Sequence, residues 1–302
     1  MLSICIPVYN FNISSLVYAL SHQLHALDAA CEILVIDDGS KDFKEINKIA
    51  CKEHTYIELS ENIGRARIRN LFLKYVKHEY LLFLDCDSLI KKTTFLSNYI
   101  EIIKEQPSVV CGGRIYDMFP PKRDQRLSWK YGVLRESQSC AVRQEFPNKS
   151  FMTNNFLIYK KIFEANIFDE RIVKYGHEDT LFGFALKKQN ITITHIANPV
   201  INGDVEDNIA YLNKTKDGII NLIDILNFTK YDKELISDIS ILKFYEKVRK
   251  IEKIVNLSFV ISKPLVFFLL SRGYVSLYLF DYYKLGTLIE NVRNTRYYKE
   301  LT

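Results

Sequence analysis

The sequence predicts an α/β protein, with a parallel sheet flanked by helices and a helical extension at its C-terminal end. Two observations carry this prediction. Over the first 90 residues short apolar runs alternate with amphipathic segments, and beyond about Gly218 only helical patterns occur. Strands that alternate with helices pair in parallel, because each helix returns the chain to the same end of the sheet.

The same periodicity locates the elements. Apolar runs of strand length occupy residues 2–8, 32–36, 56–59 and 80–84, and the helical segments between them occupy residues 14–27, 41–51 and 64–76. Residues 118–150 are rich in Pro, Arg, Gln and Ser, which predicts a long loop. Helical patterns return at residues 160–164 and 178–188, and residues 109–116 and 191–196 have a strand pattern. We therefore expect two domains, residues 1–220 and 221–302.

Charge is unevenly distributed along the chain. The 302 residues include 41 Lys and Arg against 36 Asp and Glu, a net charge of +5. Between Phe228 and Thr302 there are 13 basic and 8 acidic residues, so this segment holds the whole excess. A protein that binds nucleic acid usually has a strongly basic domain, so we expect no nucleic-acid partner.

The cysteines and the apolar segments predict a cytoplasmic protein. Six cysteines are scattered without zinc-site spacing, as in a reduced intracellular chain, and no signal-peptide pattern opens the sequence. Charges at Lys263 and Arg272 interrupt the apolar C-terminal region well short of roughly 18 residues, so no membrane-spanning segment is expected. The C-terminal helices either complete the core or a dimer contact, or rest on the inner face of the cell membrane.

Two carboxylates follow the strand at residues 80–84. Asp85 and Asp87 flank one residue in a turn, where both side chains can converge. Such a pair suits Mg²⁺ or Mn²⁺, which take oxygen ligands and share their coordination shell with phosphate. The alternative is a strand end capped by acidic residues. Ligands of α/β sheets bind beyond the carboxyl ends of the strands, so the polar pairs at residues 9–10 and 37–38 belong to the same rim.

Two more motifs near this rim are polar. Asp37 and Asp38 repel each other unless they accept hydrogen bonds, either from a base or ribose or from the backbone of a turn. Arg65 and Arg69 are four residues apart and share a helix face. There they contact a base or a diphosphate, or they form salt bridges.

An acidic pair, Glu178 and Asp179, begins the helix predicted at residues 178–188. The helix dipole favours acids at that end, which is a purely structural explanation. The functional explanation is a general base opposite the metal, because an attacking hydroxyl needs a carboxylate to take its proton.

In order and spacing, these motifs together resemble the family 2 glycosyltransferases of the GT-A fold. The resemblance covers about residues 1–220 and is closest to bacterial members that build cell-surface polysaccharide. The matching segments are Ser3-Ile4-Cys5-Ile6-Pro7-Val8-Tyr9-Asn10, Val35-Ile36-Asp37-Asp38-Gly39-Ser40, Asn62-Ile63-Gly64 with Arg69-Asn70, Leu84-Asp85-Cys86-Asp87, and Glu178-Asp179.

The resemblance implies inverting transfer from a nucleotide-sugar donor, first of all a UDP-sugar, to a glycan or lipid-linked acceptor, with Mn²⁺ or Mg²⁺. It assigns Asp87 to the metal ligand that bridges to the diphosphate and Asp85 to the ribose and metal shell. It assigns Asp179, with Glu178 beside it, to the catalytic base. The residues it places at the base and ribose are Pro7, Tyr9, Asp38 and Arg65, with Asp37 as an alternative contact.

The chain departs from the family at one metal ligand. Related sequences often have a His shortly after the strand that follows the acidic pair, where it completes the metal shell. In this chain Asn202 occupies the corresponding position, and His195 lies earlier, inside the strand. An Asn carbonyl is a suitable ligand for Mg²⁺ or Mn²⁺. The third ligand is therefore expected to be Asn202, His195 or water.

Residues in and after the predicted loop are candidates for acceptor contacts. Trp129 offers an aromatic face on which a sugar ring can stack. Asn154 and Asn155 follow the loop, near the expected acceptor entrance. Packing or loop structure explains these residues equally well.

Two other functions fit parts of the pattern. Residues 82–88 also resemble the first motif of haloacid-dehalogenase-type phosphatases, whose first Asp is a nucleophile, but the later acidic element at residues 203–207 is one residue short. A chain without the metal-binding His is alternatively a nucleotide-binding scaffold that has lost catalysis. Phosphate release from a phosphomonoester would support the former, and nucleotide binding without turnover the latter.

Overall fold

The computed structural model describes residues 1–172 and 175–293, so residues 294–302 of the predicted C-terminal region lie outside the described residues. The strands are β1 Leu2–Val8, β2 Cys31–Asp37, β3 Thr55–Glu58, β4 Tyr80–Leu84, β5 Ser88–Leu89, β6 Val109–Cys111, β7 Arg114–Ile115, β8 Asn155–Tyr159, β9 Thr194–His195 and β10 Val200–Asn202. The α-helices are α1 Ser14–Leu24, α2 Lys44–Ala50, α3 Arg65–Leu71, α4 Phe95–Ile103, α5 Arg126–Tyr131, α6 Cys140–Glu145, α7 Lys160–Ala165, α8 Glu178–Lys188, α9 Asn208–Phe228, α10 Lys233–Asp238, α11 Ser240–Val248, α12 Glu252–Ser271 and α13 Leu277–Arg293.

The central sheet has seven strands in the order β3-β2-β1-β4-β8-β6-β9. Its first four strands are mutually parallel, as the alternation of strands and helices predicts. Every residue of β4 is buried, and in β1 only Pro7 is partly exposed, as expected for strands covered by helices on both faces. The predicted α/β fold class is confirmed. β8, which the sequence did not reveal, runs antiparallel between β4 and β6.

Two apolar clusters fill the faces of this sheet. Neighbouring residues of β1 alternate between them, with Ile4 in one and Cys5 in the other. The second cluster is largely aromatic, and within it the rings of Phe83 and Phe156 stack at 4.9 Å between centroids. The packed faces leave the carboxyl ends of the parallel strands as the polar edge of the sheet.

A small second sheet has the order β5-β10-β7, and three residues separate its first strand from the end of β4. β10 pairs antiparallel with β5, with Asn202 opposite Ser88, and parallel with β7, with Val200 opposite Arg114. The pairing of β10 with β5 joins segments more than 110 residues apart in the chain, and it does so next to the turn that holds Asp85 and Asp87.

The chain divides into two compact units. Among the described residues, one unit comprises 1–117, 134–172 and 178–204 and contains both sheets, and the other comprises 118–133, 175–177 and 205–293. The boundary expected at residue 220 falls inside α9, which is one continuous helix. The chain therefore divides near residue 205 instead, and residues 118–133 belong with the C-terminal helices.

The prediction of a long loop at residues 118–150 is wrong. The segment contains α5, a π-helical turn at residues 132–136, and α6. Leu127 of α5 is fully buried in an apolar cluster with Leu212, Phe259 and Phe280, which belong to α9, α12 and α13. Short helices are stabilised mainly by such tertiary packing, so their own sequence gives little periodic signal.

Only helices follow residue 208 within the described part of the chain, as predicted. α11 and α12 join through a 3₁₀ turn into one helical segment, Ser240–Ser271, which is long and apolar enough to cross a membrane. An 18-residue stretch of it has a mean hydropathy of 1.9, and only 17% of that stretch is buried. The expectation that Lys263 and Arg272 leave no segment of this length is wrong. Arg272 follows the helix end, and Lys263 is paired with Glu290 at 2.5 Å.

Candidate active site

The first part of the site is a set of loops tied together at the carboxyl ends of β1 and β2. Parallel pairing puts Val8 level with Asp37. Beyond them, the backbone N–H of Asn10 donates to Ser40 Oγ at 2.8 Å, and Asn10 Oδ1 accepts from the backbone of Lys41 at 2.7 Å. These bonds hold the loop after β1 against the loop after β2.

Gly39 has to be glycine in this turn. Its φ is +72°, and a Cβ atom would lie 2.6 Å from the carbonyl carbon of Glu61. The turn therefore needs both left-handed backbone and the absence of a side chain.

The two adjacent acids of this turn have different environments. Asp37 is fully buried, and its oxygens accept hydrogen bonds from the Ser40 backbone N–H at 2.7 Å and from the Tyr56 hydroxyl. Asp37 therefore holds the turn, and its alternative contact with the base and ribose stays a prediction. Asp38 accepts from the backbone N–H groups of Ile63, at 2.7 Å, and Gly64, at 3.2 Å. Burial raises the pKa of Asp38 despite these two bonds.

The Asp38 bonds attach the loop before α3 to the same rim. Gly64 precedes α3 directly, so Arg65 begins the helix next to the Asp38 carboxylate. Of the other residues expected at the nucleotide, Pro7 is partly exposed at the end of β1, and the Tyr9 side chain is 47% exposed. Pro7, Tyr9, Asp38 and Arg65 thus belong to one set of linked loops.

Asp85 forms a buried ion pair with Arg69. Arg69 Nη2 lies 2.9 Å from Asp85 Oδ1, and the arginine side chain is only 2% exposed. Burial opposes ionisation of Asp85, but the guanidinium groups of Arg69, Arg65 and Arg114 outweigh it and lower its pKa. Of the two sequence interpretations of Arg69, the salt bridge is the one observed.

The negative charge of Asp87 is balanced less well by nearby arginines than that of Asp85. Burial and the charge of Asp85 raise the pKa of Asp87 to about 6, although Arg114 and Arg65 act in the opposite direction. The backbone oxygen of Asp87 accepts from the Gly203 N–H at 2.8 Å, and a Cβ on Gly203 would come within 2.5 Å of that oxygen. Asn202 is therefore fixed beside Asp87 by the pairing of β10 with β5.

The third candidate metal ligand is Asn202, because His195 is occupied elsewhere. His195 is buried, with Nδ1 2.6 Å from Arg143 and Nε2 2.8 Å from the carbonyl of Pro147. The amide nitrogen of Asn202 donates to the Asp204 carbonyl, which aims the amide but leaves its oxygen for another partner.

Sequence reasoning missed a third arginine at the site, Arg114 on β7. Its Nη1 lies 3.2 Å from the Tyr116 hydroxyl and 3.3 Å from Glu136 Oε2, and the tyrosine also donates to Glu136 at 2.6 Å. Arg114 lowers the pKa of Asp87 and Asp85, so its charge belongs to the same site. The strand pattern over residues 109–116 includes Arg114, but only the pairing of β7 with β10 places it at the site.

The donor set fits a divalent cation. Within the described residues, no group of three or more His, Cys, Asp or Glu side chains is arranged to hold a metal ion, so a third protein ligand would have to be another oxygen, which Asn202 offers. The charge of the site also favours a cation, because its five carboxyl groups and three guanidinium groups have a net charge of −2 when all are ionised. These groups are Asp85, Asp87, Glu136, Glu178 and Asp179, with Arg65, Arg69 and Arg114.

The acidic pair at the start of α8 lies on the same side of α3 as Asp85. Arg65 Nη1 is 3.6 Å from Oε1 of Glu178, while Arg69, one turn further on, contacts Asp85. Residues four apart share a helix face. One face of α3 thus brings together two acidic motifs that are more than 90 residues apart in the sequence.

Asp179 has the properties of a base. Its Oδ1 accepts from the backbone N–H of Thr180 at 2.7 Å. Burial and the neighbouring Glu178 raise the pKa of Asp179 to about 6. A carboxyl group with this pKa is ionised at neutral pH and still basic enough to accept a proton from an attacking hydroxyl.

The three candidate acceptor residues have different positions. Asn155 is fully buried, and its amide bonds the Tyr99 hydroxyl and the carbonyls of Gly113 and Asn198, so its expected acceptor contact is replaced by a structural role. The backbone oxygen of Asn154 accepts from the Asp85 N–H, and its buried side-chain Oδ1 has no partner in the part of the chain that the structure describes. Trp129 belongs to α5 in the helical unit, and its acceptor role stays a prediction.

Known proteins resemble this chain in sequence. A family model described as Glycosyl transferase family 2 matches residues 3–167. The uncharacterized glycosyltransferase YfnE of Bacillus subtilis is 25% identical over 274 residues, covering 70% of this chain and 69% of that protein. The matches to six other curated relatives span 15% to 61% of the length of those proteins.

Two solved structures have a similar fold. The mannosyltransferase PcManGT from Pyrobaculum calidifontis, in complex with GDP-Man and Mn²⁺, aligns with 98% of this chain and 88% of its own at a TM-score of 0.59 and 14% identity. Glucosyl-3-phosphoglycerate synthase from Mycobacterium tuberculosis, in complex with Mn²⁺, UDP and glucosyl-3-phosphoglycerate, aligns with 74% of this chain and 79% of its own. The TM-score is 0.51 and the sequence identity is 15%. Because the family model spans more than half of the chain, including the Asp85–Asp87 turn, the chain belongs to glycosyl transferase family 2.

Proposed function

We propose that this glycosyltransferase transfers a sugar from a nucleotide-sugar donor to an acceptor hydroxyl in a divalent-metal-dependent, inverting reaction. One observation carries the proposal. A single face of α3 contacts both the Asp85 turn and the Glu178–Asp179 pair, so a candidate metal site and a candidate base share one site. Cell-surface polysaccharide synthesis, on a glycan or a lipid-linked acceptor, is the role that the family resemblance favours.

The residues have separate tasks in this reaction. Asp179 takes the proton as the acceptor oxygen forms its bond to the anomeric carbon, and the bond from that carbon to the diphosphate breaks, with its electron pair leaving on the phosphate oxygen. Arg65, Asp38, Pro7 and Tyr9 position the nucleoside. Asp85, Asp87 and Asn202 would hold Mn²⁺ or Mg²⁺, which stabilises the charge on the departing diphosphate when bound.

A donor panel tests this proposal. We expect nucleotide release from one UDP- or GDP-sugar with Mn²⁺ or Mg²⁺, and none with EDTA. The rate of nucleotide release should fall by about 100-fold or more in the Asp87→Ala and Asp179→Asn variants. Asp28→Asn, an exposed control, should not change it.

Three results would contradict the proposal. Full activity of Asp179→Asn would exclude this base. Nucleotide binding without transfer or hydrolysis across the panel would identify a scaffold. Phosphate release from a phosphomonoester that Asp85→Asn abolishes would identify a phosphatase.

We also propose that the helical unit binds the surface of an anionic membrane. Large apolar side chains are at least half exposed along the segment Ser240–Ser271. They are Phe244, Ile251, Ile254, Leu257, Val260, Ile261, Leu265 and Phe268. At 100° per residue they cover an arc of roughly 200°, broader than the seam of a coiled coil, which favours a lipid surface over a second helix.

The charges of the segment match an anionic surface. Six basic and two acidic residues lie between Ser240 and Ser271. Exposed Lys243, Lys247 and Lys250 continue the three-and-four spacing of the apolar stripe towards the helix N-terminus. The stripe thus changes from basic to apolar along one face, as expected when lysines reach lipid head groups and the apolar part enters the interface.

Vesicle cosedimentation tests the docking surface. The full chain should bind vesicles containing phosphatidylglycerol and bind phosphatidylcholine vesicles much less. Replacing Leu257, Ile261 and Leu265 with Ser should abolish binding, whereas replacing exposed Lys41, Lys52 and Lys77 with Gln should not. Equal binding of the Ser variant would contradict membrane docking. Monomerisation of a dimeric protein by the same variant, without vesicle binding by either, would show a subunit contact instead.

A further inference from the structure

Arg114 has an unused hydrogen-bonding edge inside the site. Its Nη1 carries both side-chain bonds, to Tyr116 and Glu136, while Nε is buried and has no partner among the described residues. Its Nη2 also makes no hydrogen bond to the described residues. Nε and Nη2 together form the side of a guanidinium that binds two oxygens of a phosphate or carboxylate. A buried donor without a partner is rare in native proteins and points to a ligand.

The surroundings of Arg114 specify the ligand. Asp85 and Asp87 are near enough to raise the pKa of Arg114, yet neither carboxylate lies within 4 Å of it as an ion pair. A divalent cation at the two acids would repel a guanidinium of the same sign. An anion that touches both the cation and Arg114 removes that repulsion, and the diphosphate of a nucleotide-sugar is such an anion.

We infer that the free Nε–Nη2 edge of Arg114 binds the diphosphate of the donor, with Tyr116 and Glu136 as positioning residues that hold the edge in place. The inference rests on the proposed function. The ring of Tyr116 also lies under the guanidinium, 5.6 Å from ring centroid to Cζ, which restricts its rotation. After the sugar leaves, the same edge stabilises the second negative charge of the nucleoside diphosphate.

Calorimetric titration with UDP, GDP and the corresponding monophosphates tests the inference, with Mn²⁺ and again with EDTA. For the nucleotide that the wild-type protein binds, Arg114→Gln should weaken diphosphate binding about 10- to 100-fold and leave monophosphate binding within about twofold. Arg114→Lys should recover only part of the loss, since an ammonium cannot bind two oxygens side-on. Tyr116→Phe and Glu136→Gln should reduce the preference for diphosphate over monophosphate by a smaller factor. Arg67→Gln, an exposed arginine on α3, is the matched control.

The outcomes separate this inference from the proposed function. If the wild-type protein binds no nucleoside diphosphate, the proposed function is wrong. If it binds one and Arg114→Gln binds it equally well, only the Arg114 assignment is wrong. An unchanged diphosphate affinity with a raised KM for the acceptor would assign Arg114 to the acceptor instead. An unaltered melting temperature of Arg114→Gln would show that the variant is folded.

Discussion

At the scale of single residues, Asp179 and Asp87 show how burial and a neighbouring acid set the protonation of a site. Each lies beside another carboxyl group, and each has its pKa raised to about 6. Asp85 also lies beside a carboxyl group, that of Asp87, but its pKa is lowered because Arg69 pairs with it directly. The sequence located these acids, but only the positions of the arginines distinguish their protonation.

The pKa of Asp179 predicts the acid limb of the pH profile. The base acts in its ionised form, so the rate should fall as the pH drops through about 6, and approach a tenfold loss per pH unit below it. Measuring kcat/KM between pH 5 and pH 8 at saturating metal checks this. A profile whose acid limb stays at the same pH in Asp179→Glu would argue against Asp179 as the titrating group.

The Arg69–Asp85 pair predicts a large loss of stability on removal of one partner. Arg69→Met leaves Asp85 buried without its ion pair, which should cost about 3 kcal/mol of unfolding free energy. The double variant Arg69→Met with Asp85→Asn should be more stable than Arg69→Met, because no unpaired charge remains. Thermal unfolding followed by circular dichroism measures both. Equal melting temperatures for the two variants would contradict the interpretation.

At the scale of elements, the pairing of β5 with β10 determines which residue completes the metal site. Asn202 lies 115 residues after Asp87 in the chain, and the pairing of β10 with β5 places it opposite Ser88. Strands of two and three residues have no recognisable period, so the sequence suggests Asn202 only through alignment with a family. β7 is equally short, so the strand pattern over residues 109–116 does not show that Arg114 lies at the candidate metal site.

Gly203→Ala should separate these strands. A Cβ at this position would lie 2.5 Å from the Asp87 carbonyl oxygen and 2.8 Å from Leu89 Cγ, so the backbone has to shift. We expect a several-fold higher Mn²⁺ concentration for half-maximal activity, measured by metal titration of the donor reaction.

Gly218→Ala in α9 is the matched control for that experiment. Its nearest neighbour, the Tyr175 carbonyl oxygen, would be 3.7 Å from the new Cβ, an ordinary contact. Alanine in place of glycine inside a helix stabilises it by up to about 1 kcal/mol. Metal dependence should therefore stay as in the wild type. An equal loss of Mn²⁺ affinity in both variants would show that the strand geometry is not the cause.

At the scale of the whole molecule, the net charge of +5 lies entirely in residues 228–302, and residues 1–227 are neutral. The segment Ser240–Ser271 contributes +4 of that charge together with the exposed apolar stripe. The neutral part contains the sheet and the candidate site. The charge distribution therefore matches the two proposed tasks. Binding a metal and a diphosphate requires charged groups at particular positions but no net charge of the domain, whereas attraction to an anionic membrane requires a net positive charge.

The charge distribution predicts that vesicle binding depends on salt. Raising the ionic strength from 0.1 M to 1 M shortens the Debye length from about 10 Å to about 3 Å, which screens the attraction of the lysines to anionic lipid. Vesicle binding should weaken several-fold. The binding that remains at 1 M salt should come from the apolar stripe and should be lost in the variant with Ser at positions 257, 261 and 265. Cosedimentation across a salt series measures this. Binding that does not change with salt would assign the contact to the apolar stripe alone.

The sequence by itself determined the α/β class, the parallel strands and the acids at their ends. These features are local, since a period of two or of 3.6 and a polar residue after an apolar run are visible in any short window. Only the tertiary structure decided that Arg69 neutralises Asp85, that Asp37 holds a turn and Asn155 is structural, and that Asn202 and Arg114 lie near Asp87. Each of these facts depends on pairing between distant segments, and the free energy of that pairing comes from burial and strand register that no local pattern encodes.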